Sequence, residues 1–175
     1  MQRREALLEK LLCFFTPDLV RILHDVIGGR RCVSLRLLDW FVTSYARRHA
    51  SSFVFRGKTV IVWNEYKSML KSYSKTHFDP FCRRDRIFVD ATSAGGACAL
   101  LREARGGALT TTIGQLNFFR WAIESGLLMY VQLIERDVAH DLAAHTLKVK
   151  SGSTADAHVH HGFTRVAAQT TVTFD

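Results

Sequence analysis

The sequence predicts a single α+β domain in which three to five helices pack a small, mostly antiparallel sheet. Three observations carry that expectation. Apolar residues recur at three- and four-residue intervals in several long stretches, the mark of helices with one buried face. Short runs of β-branched and aromatic residues separate those stretches and read as strands. A chain of 175 residues with 47% apolar content is enough for one core. The expected division is an N-terminal helical arm over 1–30, a core over 31–148, and a polar linker with a C-terminal strand over 149–175.

Leu7, Leu8, Leu11, Leu12 and Phe15 place a first helical face within residues 4–15. Thr16-Pro17 restarts the pattern as N-cap and first helical residue, Leu19, Ile22, Leu23 and Val26 form the stripe, and Gly28-Gly29 ends it. These two helices form an arm able to pack on the core or on a partner. Ser34 caps the next helix, whose Leu38, Phe41, Val42 and Tyr45 share one face, with Arg47, Arg48 and His49 at its negative end. Phe53–Phe55 and Thr59–Trp63 flank Arg56-Gly57-Lys58, a connection suited to a hairpin.

Asn64 is expected to cap a helix with two opposed stripes. Tyr66, Met69, Leu70 and Tyr73 lie on one side; Lys67, Lys71 and Lys75, four apart, lie on the other, the stripe centres about 150° away from each other at about 100° per residue. Pro80 bars continuation of that helix, and Ile87–Val89 follows as a strand. The Gly-rich stretch 91–108, with one or two helical turns in its Ala/Leu-rich middle, is expected to be a mobile insertion. Thr112-Ile113-Gly114-Gln115 fits a capping box and starts a helix that stops at Ser125-Gly126; Leu127, Tyr130, Val131, Ile134 and Val138 carry a second helix beyond that corner. Composition turns polar after Thr146, and the tail from Phe163 to Phe174 reads as a further strand.

Charge is the main functional signal. The net charge is +8, and the surplus is +6 over residues 1–58, +3 over 59–106 and −1 over 107–175. Such a skewed field suits an anionic partner, although a basic surface also serves solubility. The lysine stripe runs directly into Phe78-Asp79-Pro80-Phe81-Cys82-Arg83-Arg84-Asp85-Arg86, the one place where special backbone chemistry and concentrated charge coincide. Lys67, Lys71, Lys75, Arg83, Arg84 and Arg86 are therefore the candidate phosphate contacts, set against the plain reading of a solvated helix face and charged turn.

Other motifs carry less. Cys13, Cys32, Cys82 and Cys98 form no C-x-x-C pair, which argues against a zinc ribbon or disulfide scaffold and for reduced thiols. Guanidinium neighbours would activate Cys82, but a small buried thiol is the plainer reading. Ala122 and Gly126 have helix-turn-helix spacing, yet Glu135, Asp137 and Asp141 would repel phosphates from the following helix. His158, His160 and His161 lack a third ligand at supportive spacing, so no metal and no cofactor is expected. The Walker, nucleophile-elbow and H-E-x-x-H motifs are absent. An enzyme would need a concave site joining Cys82 or Asp79 to a histidine. Neither a signal-peptide run nor a spanning apolar stretch occurs, which predicts a soluble intracellular chain.

Three runs also carry a family likeness: Ser34 to Arg48, Tyr66 to Arg84 ending in FDPFCRR, and Thr111 to Gly126 (TTIGQLNFFRWAIESG). Together they resemble an uncharacterised protein family of the nucleocytoplasmic large DNA viruses, the giant viruses. The likeness covers residues 33–146 and the closing Val-Thr-Phe-Asp, and it implies a viral setting without assigning catalytic residues. The expected function is a non-enzymatic accessory protein that binds DNA or RNA through the basic helix-turn surface. The rival is a structural component of the virion that meets other viral proteins without binding nucleic acid. Either would work in the host cytoplasm or nucleus, or in the particle.

Overall fold

The computed structural model describes residues 8–73, 76–90, 99–101, 108–151 and 173–174. Lys75, Cys98, the paired glycines of 91–107 and the His158–His161 cluster lie outside the described residues. The protein is a single α+β domain with its strands divided between two three-stranded sheets, ordered β2-β1-β6 and β4-β3-β5.

Local chemistry sets the helix starts. Helix α1 (residues 8–12) leads through Phe15 to α2 (Pro17–Ile27), where the Thr16 hydroxyl accepts the Leu19 N–H at 3.3 Å. Leu8, Leu11, Leu12, Phe15, Val20, Leu23 and Val26 are all buried in the common core, so the arm packs on the domain. The Ser34 hydroxyl accepts the Leu37 N–H and opens α3 (Leu35–Trp40). The coil then widens into a π-helical turn over Phe41–Tyr45, with the Ala46 N–H reaching back to the Phe41 carbonyl, before α4 (Ala46–Arg48).

Strands β1 (Ser52–Phe55) and β2 (Lys58–Ile61) pair antiparallel through a two-residue turn. Arg56 and Gly57 both take positive φ there, 50° and 72°, which matches the hairpin turn whose twist suits the flanking strands. Strand β6 (Thr173–Phe174) adds to β1 in parallel, Val54 opposite Thr173. Helix α5 (Val62–Tyr73) follows β2 without a loop, two residues earlier than the expected Asn64 cap. The reason is tertiary. Val62 is fully buried and its N–H bonds to the Ser51 carbonyl at 3.2 Å, so the strand ladder hands over directly to the helix.

In the second sheet β3 (Ile87–Asp90) lies between β4 (Ala99–Leu101) and β5 (Leu109–Thr111), both antiparallel to it. Ala99–Leu101 was expected to be helical; pairing of Phe88, Val89 and Asp90 with Leu101, Leu100 and Ala99 makes it a strand. Helix α6 (Ile113–Glu124) meets α7 (Leu127–Leu133) across Gly126, which has φ of 75° and packs so closely that a Cβ there would lie 2.5 Å from the Phe55 ring. Helix α8 (Glu135–Ser151) continues to Ser151, past the point where composition turned polar.

The core joins both sheets to the helices. Phe15, Phe41, Phe53, Phe118, Phe119, Leu38, Leu116 and Leu127 are almost fully enclosed, and Phe53 stacks on Tyr130 at 4.4 Å. On one flank, Asp141 of α8 ties down α3 and α4. It accepts the Trp40 indole N–H at 2.7 Å and both Arg48 Nη groups at 3.0 and 2.5 Å, while Arg48 also lies over the Trp40 ring. Burial alone would raise the Asp141 pKa; the hydrogen bonds from Arg48 and Trp40 outweigh it and hold the carboxyl below its ordinary value.

Candidate nucleic-acid interface

The basic turn over residues 76–86 is anchored on the first turn of α6. Phe78 is its apolar plug, buried among Tyr66, Tyr73, Phe118 and Trp121 with ring centres 5.4–6.0 Å away. Backbone groups fix the rest. The Asp79 N–H donates to the Gly114 carbonyl at 3.2 Å, Asn117 Nδ2 to the His77 carbonyl at 3.0 Å, and Gln115 Nε2 to the Pro80 carbonyl at 2.7 Å. Gly114 allows this approach, since a Cβ there would sit 3.3 Å from the Thr76 oxygen.

The expected capping box is half present. Thr112 Oγ1 accepts the Gln115 N–H at 3.1 Å, as predicted. The Gln115 side chain does not return to Thr112: its oxygen accepts from Thr111 Oγ1 at 2.8 Å and its amide nitrogen serves Pro80. A fully buried amide thus welds the turn, the helix start and β5 together.

The candidate cations meet different fates. Arg83 folds back on Asp79 with two parallel bonds of 2.8 Å, and the same carboxylate accepts the Phe81 N–H at 3.1 Å across Pro80. The Asp79 side chain is 10% exposed and that of Arg83 67%. The hydrogen bond to Asp79 raises the Arg83 pKa, and Arg83 is neutralised within its own turn. Lys67, Lys71, Arg84 and Arg86 are exposed and form no ion pair among the described residues. Arg84 lines a cavity of about 250 Å³ with His77, Asp85 and the Thr112–Gly114 start of α6, where backbone N–H groups lack helical partners.

Behind the turn lies a cluster of ionisable side chains that sequence reading missed. Burial raises the Asp39 pKa; Arg83 opposes that shift and Asp79 adds to it. Burial, helped by the same two carboxylates, pushes Tyr66 up to about 12. Asp39, Tyr66 and Asp79 are thus electrostatic neighbours, Asp39 from the first of the three runs and Tyr66 and Asp79 from the second. Asp39 also borders a cavity of about 380 Å³ with Arg36, Trp40, Leu142, His145 and Val149. Among the described residues, no three His, Cys, Asp or Glu side chains are grouped to hold a metal ion, and no helix is long and apolar enough to cross a membrane.

Comparison with known proteins fits the likeness carried by the three runs. A sequence profile of one protein family matches residues 2–163. The chain belongs to that family, DUF7197, a family of unknown function. Similar too is the uncharacterised protein L507 of Acanthamoeba polyphaga mimivirus, 35% identical over 150 residues. That match covers 82% of this chain and 55% of the mimivirus protein, so the chain spans about half the length of this relative. No solved structure matches the chain. In this DUF7197 member the three runs form α3 to α4, the α5–turn unit, and β5 to α6, and the last two meet at the Gln115 contact.

Proposed function

We propose that this DUF7197 protein is a non-enzymatic viral accessory protein that binds nucleic acid through the α5–turn surface. Lys67, Lys71, Arg84 and Arg86 are its phosphate contacts, with Lys75 continuing the lysine spacing. Arg83 shapes the turn instead of meeting the ligand. The observation that carries the reading is that those four exposed cations form no ion pair among the described residues, in a chain of net charge +8. Unpaired cations release counterions when phosphates replace them, which favours binding at low salt. The site of action would be the infected cell or the particle.

Binding of duplex and single-stranded DNA across a salt series tests the proposal. Each phosphate contact contributes about −0.9 to the slope of log K against log salt on duplex DNA, so the Arg84→Ala/Arg86→Ala pair should flatten it by about 2. Absence of binding at low salt ends the reading. A second reading, a virion component that meets other proteins, has one observation in its favour: Met129 and Leu133, one turn apart on α7, are 49% and 60% exposed. It predicts copurification with particles and no salt-sensitive DNA binding.

A further inference from the structure

Trp63 stands in the first turn of α5, four residues before Lys67 and eight before Lys71. The three share one stripe of the helix and follow one another at about 6 Å along its axis. The Trp63 ring is only half-buried. Two cations from different elements converge on it: the Arg47 guanidinium, from α4, lies 5.3 Å from its centre and the Lys67 ammonium 5.9 Å. Arg47, Lys67 and Lys71 are all exposed, and none forms an ion pair among the described residues. The neighbouring Arg48, by contrast, is committed to Asp141.

Two cations over one indole, with a third one turn further along the helix and no ion pair at any of them among the described residues, make an unusual surface. Their mutual repulsion is unfavourable, and the pull of the ring on an exposed cation is weak. A phosphate offers each cation a stronger, charge-assisted partner. When the cations swing outward to phosphates, the ring face they leave is free for a base. A basic strip with an aromatic platform is the combination that holds single strands, whose bases are available to stack. A duplex keeps its base faces inside the helix and offers only groove edges and backbone.

We propose that Arg47, Trp63, Lys67 and Lys71 form a track for single-stranded nucleic acid, with one base stacked on Trp63 and adjacent phosphates on the three cations. This rests on the nucleic-acid reading above and narrows it to one class of ligand.

The test titrates the full chain with a thymidine oligonucleotide of about 20 residues and with a duplex of equal length, following anisotropy and tryptophan emission. The expected result is tighter single-strand binding with quenched emission. Trp63→Leu should remove the quench and weaken single-strand binding about tenfold or more, with the salt slope unchanged. The Arg47→Ala/Lys67→Ala pair, at exposed positions that leave the fold intact, should instead flatten the slope by about 1–2. Duplex bound as tightly as the single strand overturns the track but leaves the nucleic-acid reading standing. So does a folded Trp63→Leu chain that binds as well as the parent. If neither oligonucleotide binds at low salt, both readings fall together.

Discussion

Replacing Gln115 with leucine tests whether the basic turn is held by one buried amide. Leucine has nearly the same volume, so no cavity opens. What disappears is the bond to the Pro80 carbonyl at 2.7 Å and the bond from Thr111 Oγ1 at 2.8 Å, both between buried residues. Each orphaned group costs about 1–3 kcal/mol. Burying a leucine in place of an amide returns about 1–2 kcal/mol. The net loss is about 2–3 kcal/mol, which for a chain of this length lowers Tm by about 5–10 °C. Urea unfolding and thermal melts followed by circular dichroism measure it. A loss below about 0.5 kcal/mol would refute the reasoning, because it would mean that the Pro80 carbonyl finds water and the turn does not depend on Gln115.

Other outcomes follow from the same geometry. Gly126→Ala combines a left-handed backbone with a Cβ 2.5 Å from the Phe55 ring, so it should cost more than about 2 kcal/mol in the same melts. Arg83→Ala should reduce stability, since it strands the buried Asp79, while Arg84→Ala should leave Tm unchanged and reduce only nucleic-acid affinity; equal effects on Tm would count against separate roles. The two aspartates should respond to pH in opposite senses. The lowered pKa of Asp141 means its stabilisation is present above the unfolded value near 3.8 and is lost as pH falls through the folded value, so Asp141→Asn should be destabilising at neutral pH and much less so in acid. The raised pKa of Asp39 means its ionised form is disfavoured by folding, so Asp39→Asn should be stabilising at pH 7 and neutral once both states are protonated. Thermal melts from pH 7 to 3 separate the two.

Legibility from sequence tracked the range of each interaction. Thr16, Ser34 and Thr112 were readable as caps because a cap bonds an N–H three residues away. The Arg56-Gly57 hairpin was readable for the same reason. Strands β4 and β5 were not, since three residues hold too little periodicity to be read without their partner β3. The early start of α5 was hidden in the Val62–Ser51 bond, and the diversion of Gln115 depends on Pro80, thirty-five residues away. For the site, charge density found the cations but not their partners. The Asp79-Pro80 dipeptide four residues before Arg83 was an available sign that this arginine would be neutralised. The four-residue spacing of Trp63, Lys67 and Lys71 was equally open to view; the contribution of Arg47 was not, because it reaches the indole through packing of α4 on α5.

The widened turn at Phe41–Tyr45 has a consequence for the two arginines that follow it. A π-turn holds one residue more than a regular coil, so everything after it is rotated by about 100° relative to an unbroken helix. In the present phase Arg48 addresses Asp141 and Arg47 addresses Trp63. Deleting a single residue from this stretch would restore ideal winding and swing both guanidinium groups off their targets at once. The irregular turn thus works as a phase shifter, dividing adjacent positive side chains between one that fastens the domain and one that stays available at its surface.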